Sequence, residues 1–140
     1  MGAWGYGHFE DDAALDFMHD IETAEDPKGV INDALVNAIE SEYLESDDGN
    51  AAIVAATYID RQVNETKFSL KGYGDSLDVD TFTDRHPNID LSGLREIALE
   101  AIKKVLSDDS ELNELWSEKE ADYPEWRQGI KQMLGRLQRK

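Results

Sequence analysis

Of all the stretches in this chain, AAIVAATYIDRQV (51–63) leaves the fewest options for folding. Wound as a helix, it is apolar around much of its circumference as far as Ile59, and such a helix must be covered on several sides. Ala51, Ala52, Ala55 and Ala56 would let those neighbours approach closely. The run predicts a central helix, and its need for cover predicts a bundle around it.

The neighbours can be read on both sides. After acids at Glu10, Asp11 and Asp12, the apolar residues Ala14, Phe17, Met18 and Ile21 recur at i, i+3, i+4 and i+7. Asp11 or Asp12 suits the N-cap, and the acids suit the positive end of the helix dipole. A second helix starts around Pro27, with a core stripe of Ile31, Ala34, Leu35, Ala38 and Ile39 extending to Tyr43. ESDDGN (45–50) reads as a turn and cap.

From Asn64 to Asp90 the helical pattern fails. GYGDSLDVDTFTDRHPNID carries only a short alternation at Leu77, Val79 and Thr81, and predicts a long connection with room for one short helical turn. Helical spacing returns at Leu94, Ile97, Ala98, Ala101, Ile102, Val105 and Leu106. Ser110 is placed to cap ELNELW, Pro124 to end that piece or start the next, and Trp126, Ile130, Met133, Leu134 and Leu137 share the last face. The expected fold is an all-α, compact single-domain bundle of about five to seven helices over residues 1–140. A chain of 140 residues with 40% apolar content can bury a core of that kind despite 32% charged residues.

Charge is uneven along this chain of net charge −17. Residues 1–50 carry fourteen acids against Lys28 alone, whereas the last fifteen residues hold Arg127, Lys131, Arg136, Arg139 and Lys140 and no acid. The acidic half repels phosphate-rich partners, so nucleic acid is not an expected ligand. Attraction between the acidic half and the basic C-terminal helix is one use of this layout. Docking onto a basic protein is the other.

Several chemistries are excluded or fail on spacing. The absence of cysteine removes disulfides, thiolate catalysis and cysteine zinc sites, and fits a cytoplasmic location. Neither a signal-peptide pattern nor an apolar run near the roughly 18–20 residues of a membrane span is visible, so no membrane contact is expected. Gly2, Gly5 and Gly7 form no dinucleotide or phosphate-loop motif, and their simplest use is to let Trp4 and Phe9 enter the core. The competing use is a small binding surface of Trp4, Tyr6, His8 and Asp12. Asp12, Asp16, His19 and Asp20 lie on nearby helical turns but form no HExxH motif and have no second carboxylate–histidine pair of the di-iron bundle kind, and read as a solvated acidic face. Asp78, Asp80 and Asp84 start a calcium-loop spacing that fails at Phe82, Thr83 and Ile89. No serine elbow is present. No cofactor, metal or catalytic residue is assigned.

Three motifs, GAWGYGHFEDDAALDF, EYLESDDGNAAIVAA and DDSELNELWSE, occur in that order. Together they resemble the bacterial domain of unknown function 4259 family, over nearly the whole chain. The matching positions are Gly2, Trp4, Gly5, Gly7, Phe9, Asp12, Ala14, Asp16, Ser110, Glu111, Leu112, Leu115 and Trp116. Tyr6 and His8 depart from the family pattern, which weakens any family-wide role for them. The resemblance implies a small, mainly helical domain without an assigned activity. It also implies that the N-terminal motif and SELNELW meet, with Trp4 near Trp116.

The leading expectation for function is a non-enzymatic, protein-interaction domain, immunity-like in neutralising a basic partner. The alternative is a small-molecule pocket between the N-terminal Gly/Trp segment and SELNELW, using Trp4, Gly5, Gly7, Asp12, Asp16, Glu111, Glu114 and Trp116. A metal-dependent hydrolase is the third class.

Overall fold

The computed structural model describes residues 12–66 and 79–138. These form seven α-helices: α1 (Asp12–Thr23), α2 (Pro27–Glu40), α3 (Ser46–Asn64), α4 (Val79–Arg85), α5 (Arg95–Val105), α6 (Glu111–Ser117) and α7 (Tyr123–Gln138). A 3-10 turn, Ser92–Leu94, leads into α5. Among the described residues there is no strand, and the one β-type contact is an isolated bridge between Leu44 and Ser110. None of the helices among these residues is long and apolar enough to cross a membrane.

The alanine-rich run is the axle of the bundle. Helix α3 touches α1, α2, α4, α5, α6 and α7. Every residue from Ala52 to Asp60 is buried, so all sides of this helix are covered for more than two turns. Leaving Thr57 and Asp60 inside would be costly unless their polar atoms were satisfied. Thr57 donates its hydroxyl to the Val54 carbonyl at 2.6 Å. Asp60 accepts from Arg136 Nε on α7 at 2.8 Å, from Asn64 at 2.8 Å and from the Thr66 hydroxyl at 3.0 Å.

A second buried carboxylate ties α1 to the middle of the fold. Glu22 accepts the Tyr58 hydroxyl at 2.7 Å and is gripped by the Arg85 guanidinium of α4. Phe82, one turn before Arg85, meets Tyr58 edge-on with ring centroids 4.9 Å apart. These contacts explain a helix where the sequence predicts an irregular connection across 64–90. Helix α3 itself runs to Asn64, and α4 then occupies Val79–Arg85. Val79 and Thr81 are thus helical and not part of an extended alternation, while Leu77 lies outside the described residues.

The helix ends follow local chemistry in some places and distant chemistry in others. Asp26 caps α2 by accepting from Gly29 N at 3.1 Å, with Pro27 in the first turn. Ser110 caps α6 by accepting from Asn113 N at 3.3 Å. By contrast, Ser46–Asn50, expected as a turn, is the first turn of α3. Its N-cap residue, Glu45, makes no side-chain capping bond. The missing acceptor comes from α6: Glu111 Oε1 takes the Ser46 N–H at 2.7 Å. Gly49 then allows α6 to lie close, since a Cβ there would sit 2.8 Å from Leu112 Cδ1.

The α2 stripe is narrower than its spacing suggests. Ile31, Leu35 and Ala38 are buried, but Ile39 is 38% exposed and Tyr43 44% exposed. Ser41 is extended and ends the helix, and the chain bends at Glu42 and Tyr43, so Tyr43 leaves the helical face and projects toward α6.

Candidate functional site

Helices α1 and α2 each present a second face, next to the one buried in the core. On α1 this face is Ala13, Asp16, Phe17 and Asp20; on α2 it is Val30, Asp33, Ala34 and Asn37. With Asp47, Asp48 and Ala51 from the start of α3, these residues line an open groove of about 490 Å³. Its floor is apolar: Phe17, Val30 and Ala34 are partly buried and pack against the core. Its rim carries five carboxylates, Asp16, Asp20, Asp33, Asp47 and Asp48, and no basic residue among the described residues that line it.

Those five side chains differ from the buried acids in having no hydrogen-bonding or ion-pairing partner among the described residues. The three ion pairs found there are Arg85–Glu22, Lys103–Glu100 and Arg136–Asp60. None joins residues 12–50 directly to α7, so the expected attraction between the acidic half and the basic C-terminal helix forms no direct bridge among the described residues. Asp47 and Asp48 do sit in the first turn of α3, where the helix dipole favours an acid. Asp16, Asp20 and Asp33 have no such structural use.

The other candidate residues lie elsewhere. Trp4, Gly5 and Gly7 are outside the described residues, as are Tyr6, His8 and Phe9, so the pocket drawn against SELNELW and the meeting of Trp4 with Trp116 fall outside them as well. Asp12 opens α1. Glu111, Glu114 and Trp116 share α6, where each touches another element. Glu111 supplies the α3 cap. Glu114 accepts the Tyr43 hydroxyl at 2.9 Å, and this bond, with the nearby negative charge of Glu114 and Glu111, raises the phenol from its usual 10.0 to about 12. Trp116 is 4% exposed and stacks on Trp126 of α7 at 6.1 Å between centroids, with Lys119 over its ring at 4.9 Å.

Two of the three sequence motifs are brought together by this arrangement. The Leu44 N–H donates to the Asp109 carbonyl at 2.7 Å, and the Glu111 N–H donates to the Leu44 carbonyl at 2.8 Å. This backbone clasp joins EYLESDDGN to DDSELNELW and seats α6 against the start of α3.

Of Asp12, Asp16, His19 and Asp20 on α1, the side chains of the last three are described. All three are exposed, and no cluster of three or more metal-ligating side chains occurs among the described residues. The groove acids missed by sequence reasoning are Asp33, Asp47 and Asp48. They come from two helices that only the fold brings beside α1.

A second depression of about 460 Å³ is lined by Ile39, Glu96, Ile97, Leu99 and Glu100. It has two acids where the groove has five, and Lys103 stands 3.8 Å from Glu100 beside it.

Fold and groove together define a small all-α bundle domain with an acidic, apolar-floored cleft on its N-terminal helices. The chain belongs to the family described as Domain of unknown function (DUF4259), which matches residues 2–129. No curated protein and no solved structure matches it.

Proposed function

We propose that this protein is a non-enzymatic interaction domain that receives a basic partner protein on the α1–α2–α3 groove, in the manner of a neutralising, immunity-like protein. One observation carries the reading: Asp16, Asp20 and Asp33 surround exposed apolar surface, with no cation lining the groove among the described residues. An acidic surface used only for solubility has no need of an apolar floor. Complementary charge speeds encounter and selects against acidic competitors, while apolar contact supplies retention. The net charge of −17 extends that selection over the whole molecule.

The test is affinity capture from the source cell with the wild-type protein and with the Asp16→Asn/Asp20→Asn/Asp33→Asn variant, each at low and high salt. The expected result is a protein of basic composition held by the wild type at low salt, released at high salt and not held by the variant. Absence of any basic, salt-sensitive partner overturns the proposal.

A further inference from the structure

The groove says something about the shape of its occupant. Resting on the reading above, we infer that it takes one face of a cationic amphipathic α-helix about two to three turns long, in preference to an extended peptide or a polyamine.

The two walls have the same periodicity. Ala13, Asp16, Phe17 and Asp20 fall at i, i+3, i+4 and i+7, and so do Val30, Asp33, Ala34 and Asn37. Each wall alternates an apolar with a polar residue along one helical face, so the trough repeats once per turn of about 5.4 Å. From Ala13 to Asp20 it rises about 10 Å, the length of roughly two helical turns. A helix with small apolar residues on one face meets this trough turn for turn.

The floor suits close approach of a backbone. Ala13, Ala34 and Ala51 contribute only methyl groups, with Phe17 and Val30 the larger contacts between them. Lysine and arginine flanking the apolar face of an incoming helix can lay their methylenes along this floor and carry their charges to the rim.

An extended peptide lacks a comparable fit. The described residues contain no strand, so an extended peptide gains no sheet-edge hydrogen bonds here and leaves its backbone to water. A helix satisfies its own backbone internally. A polyamine matches the carboxylates, but it carries no side chains to fill the spaces between Phe17, Val30 and Ala34.

The test uses the full chain, isotope-labelled, and three probes. The first is a peptide of about 18 residues with leucine and alanine at helical spacing and lysine and arginine flanking them, long enough to gain helicity on binding. The second has the same composition in strict alternation, and the third is spermine. The expected result is that the first peptide becomes helical by circular dichroism and shifts the amides of residues 13–20, 30–37 and 47–51. The other two probes bind at least about tenfold more weakly, a gap of roughly 1.4 kcal/mol. The Asp16→Asn/Asp20→Asn/Asp33→Asn variant weakens the first peptide about tenfold, the scale of three exposed ion pairs. Ala34→Trp, which fills the floor and leaves every charge in place, weakens it as well.

Equal binding of the two peptides, competition by spermine at similar concentration, or indifference to Ala34→Trp overturns the inference. A basic partner captured from the source cell that ignores Ala34→Trp overturns it too, while leaving the interaction function standing.

Discussion

Around α3, Glu22, Asp60 and Glu111 each hold a cation, a hydroxyl or a backbone N–H; along the groove, Asp16, Asp20 and Asp33 hold nothing among the described residues. The side chains of Glu22 and Asp60 are wholly buried, and their arginines are only 25% and 22% exposed. A carboxylate taken that far from water survives only with its partners, so these acids are spent on folding. The groove acids keep their hydration and repel one another at no great cost. What the contrast teaches is where to look for function in a chain with 31 acids: at the ones the fold does not use.

Removing a cation from the buried set is the harshest test of that division. Arg136→Met leaves the Asp60 carboxylate buried with only Asn64 and Thr66 as partners. A loss of about 3 kcal/mol is expected from urea unfolding. A loss of under about 1 kcal/mol would mean that Asp60 is not held by charge at all.

Gly49→Val attacks the packing that brings α6 and its acids to α3. The new side chain meets Leu112 at a distance no Cβ tolerates, and Leu112 is itself buried. Overpacking of this kind should cost about 2 kcal/mol. Combined with Leu112→Ala the two losses should fall short of additive, because the second substitution opens the space the first requires.

The groove acids should behave in the opposite way. The Asp16→Asn/Asp20→Asn/Asp33→Asn variant is expected to unfold within about 1 kcal/mol of the wild type, as surface changes without partners do. Any change should be toward greater stability at low salt, where repulsion is least screened. A clear loss would show that these carboxylates have a structural use and would break the contrast.

Tyr43 offers the mildest probe. Its bond to Glu114 raises the phenol to about 12, so the hydroxyl interaction is complete below the unfolded value of 10.0 and fades as pH rises through about 12. Absorbance titration should find a late-ionising tyrosine in the wild type whose delay depends on Glu114. Glu114→Gln should return it toward the ordinary range, and an unchanged late titration would remove Glu114 as the cause.

Much of the bundle can be read from periodicity alone. AAIVAATYIDRQV announces the central helix, and Ile102, Val105, Ile130, Met133 and Leu137 announce the helices that cover it. The groove is harder to see. Phe17 and Ala34 belong to the same stripes as Met18 and Leu35, yet they finish on its floor while the latter are in the core. Spacing reports that a residue favours leaving water; it does not report whether protein or solvent lies opposite. The α6 residues Glu111 and Glu114 stand out in the sequence as acids, but their partners are not written near them.

The order of apolar and acidic residues by itself determined the helical class, the central position of α3 and the strongly negative N-terminal half, because helix period and formal charge are local properties. Only the tertiary structure decided that Ser46–Asn50 is helical, since its cap arrives from Glu111, sixty-five residues away. It also decided which carboxylates are paired. Burial and proximity between distant segments set the cost of each charge, and neither exists until the chain has folded.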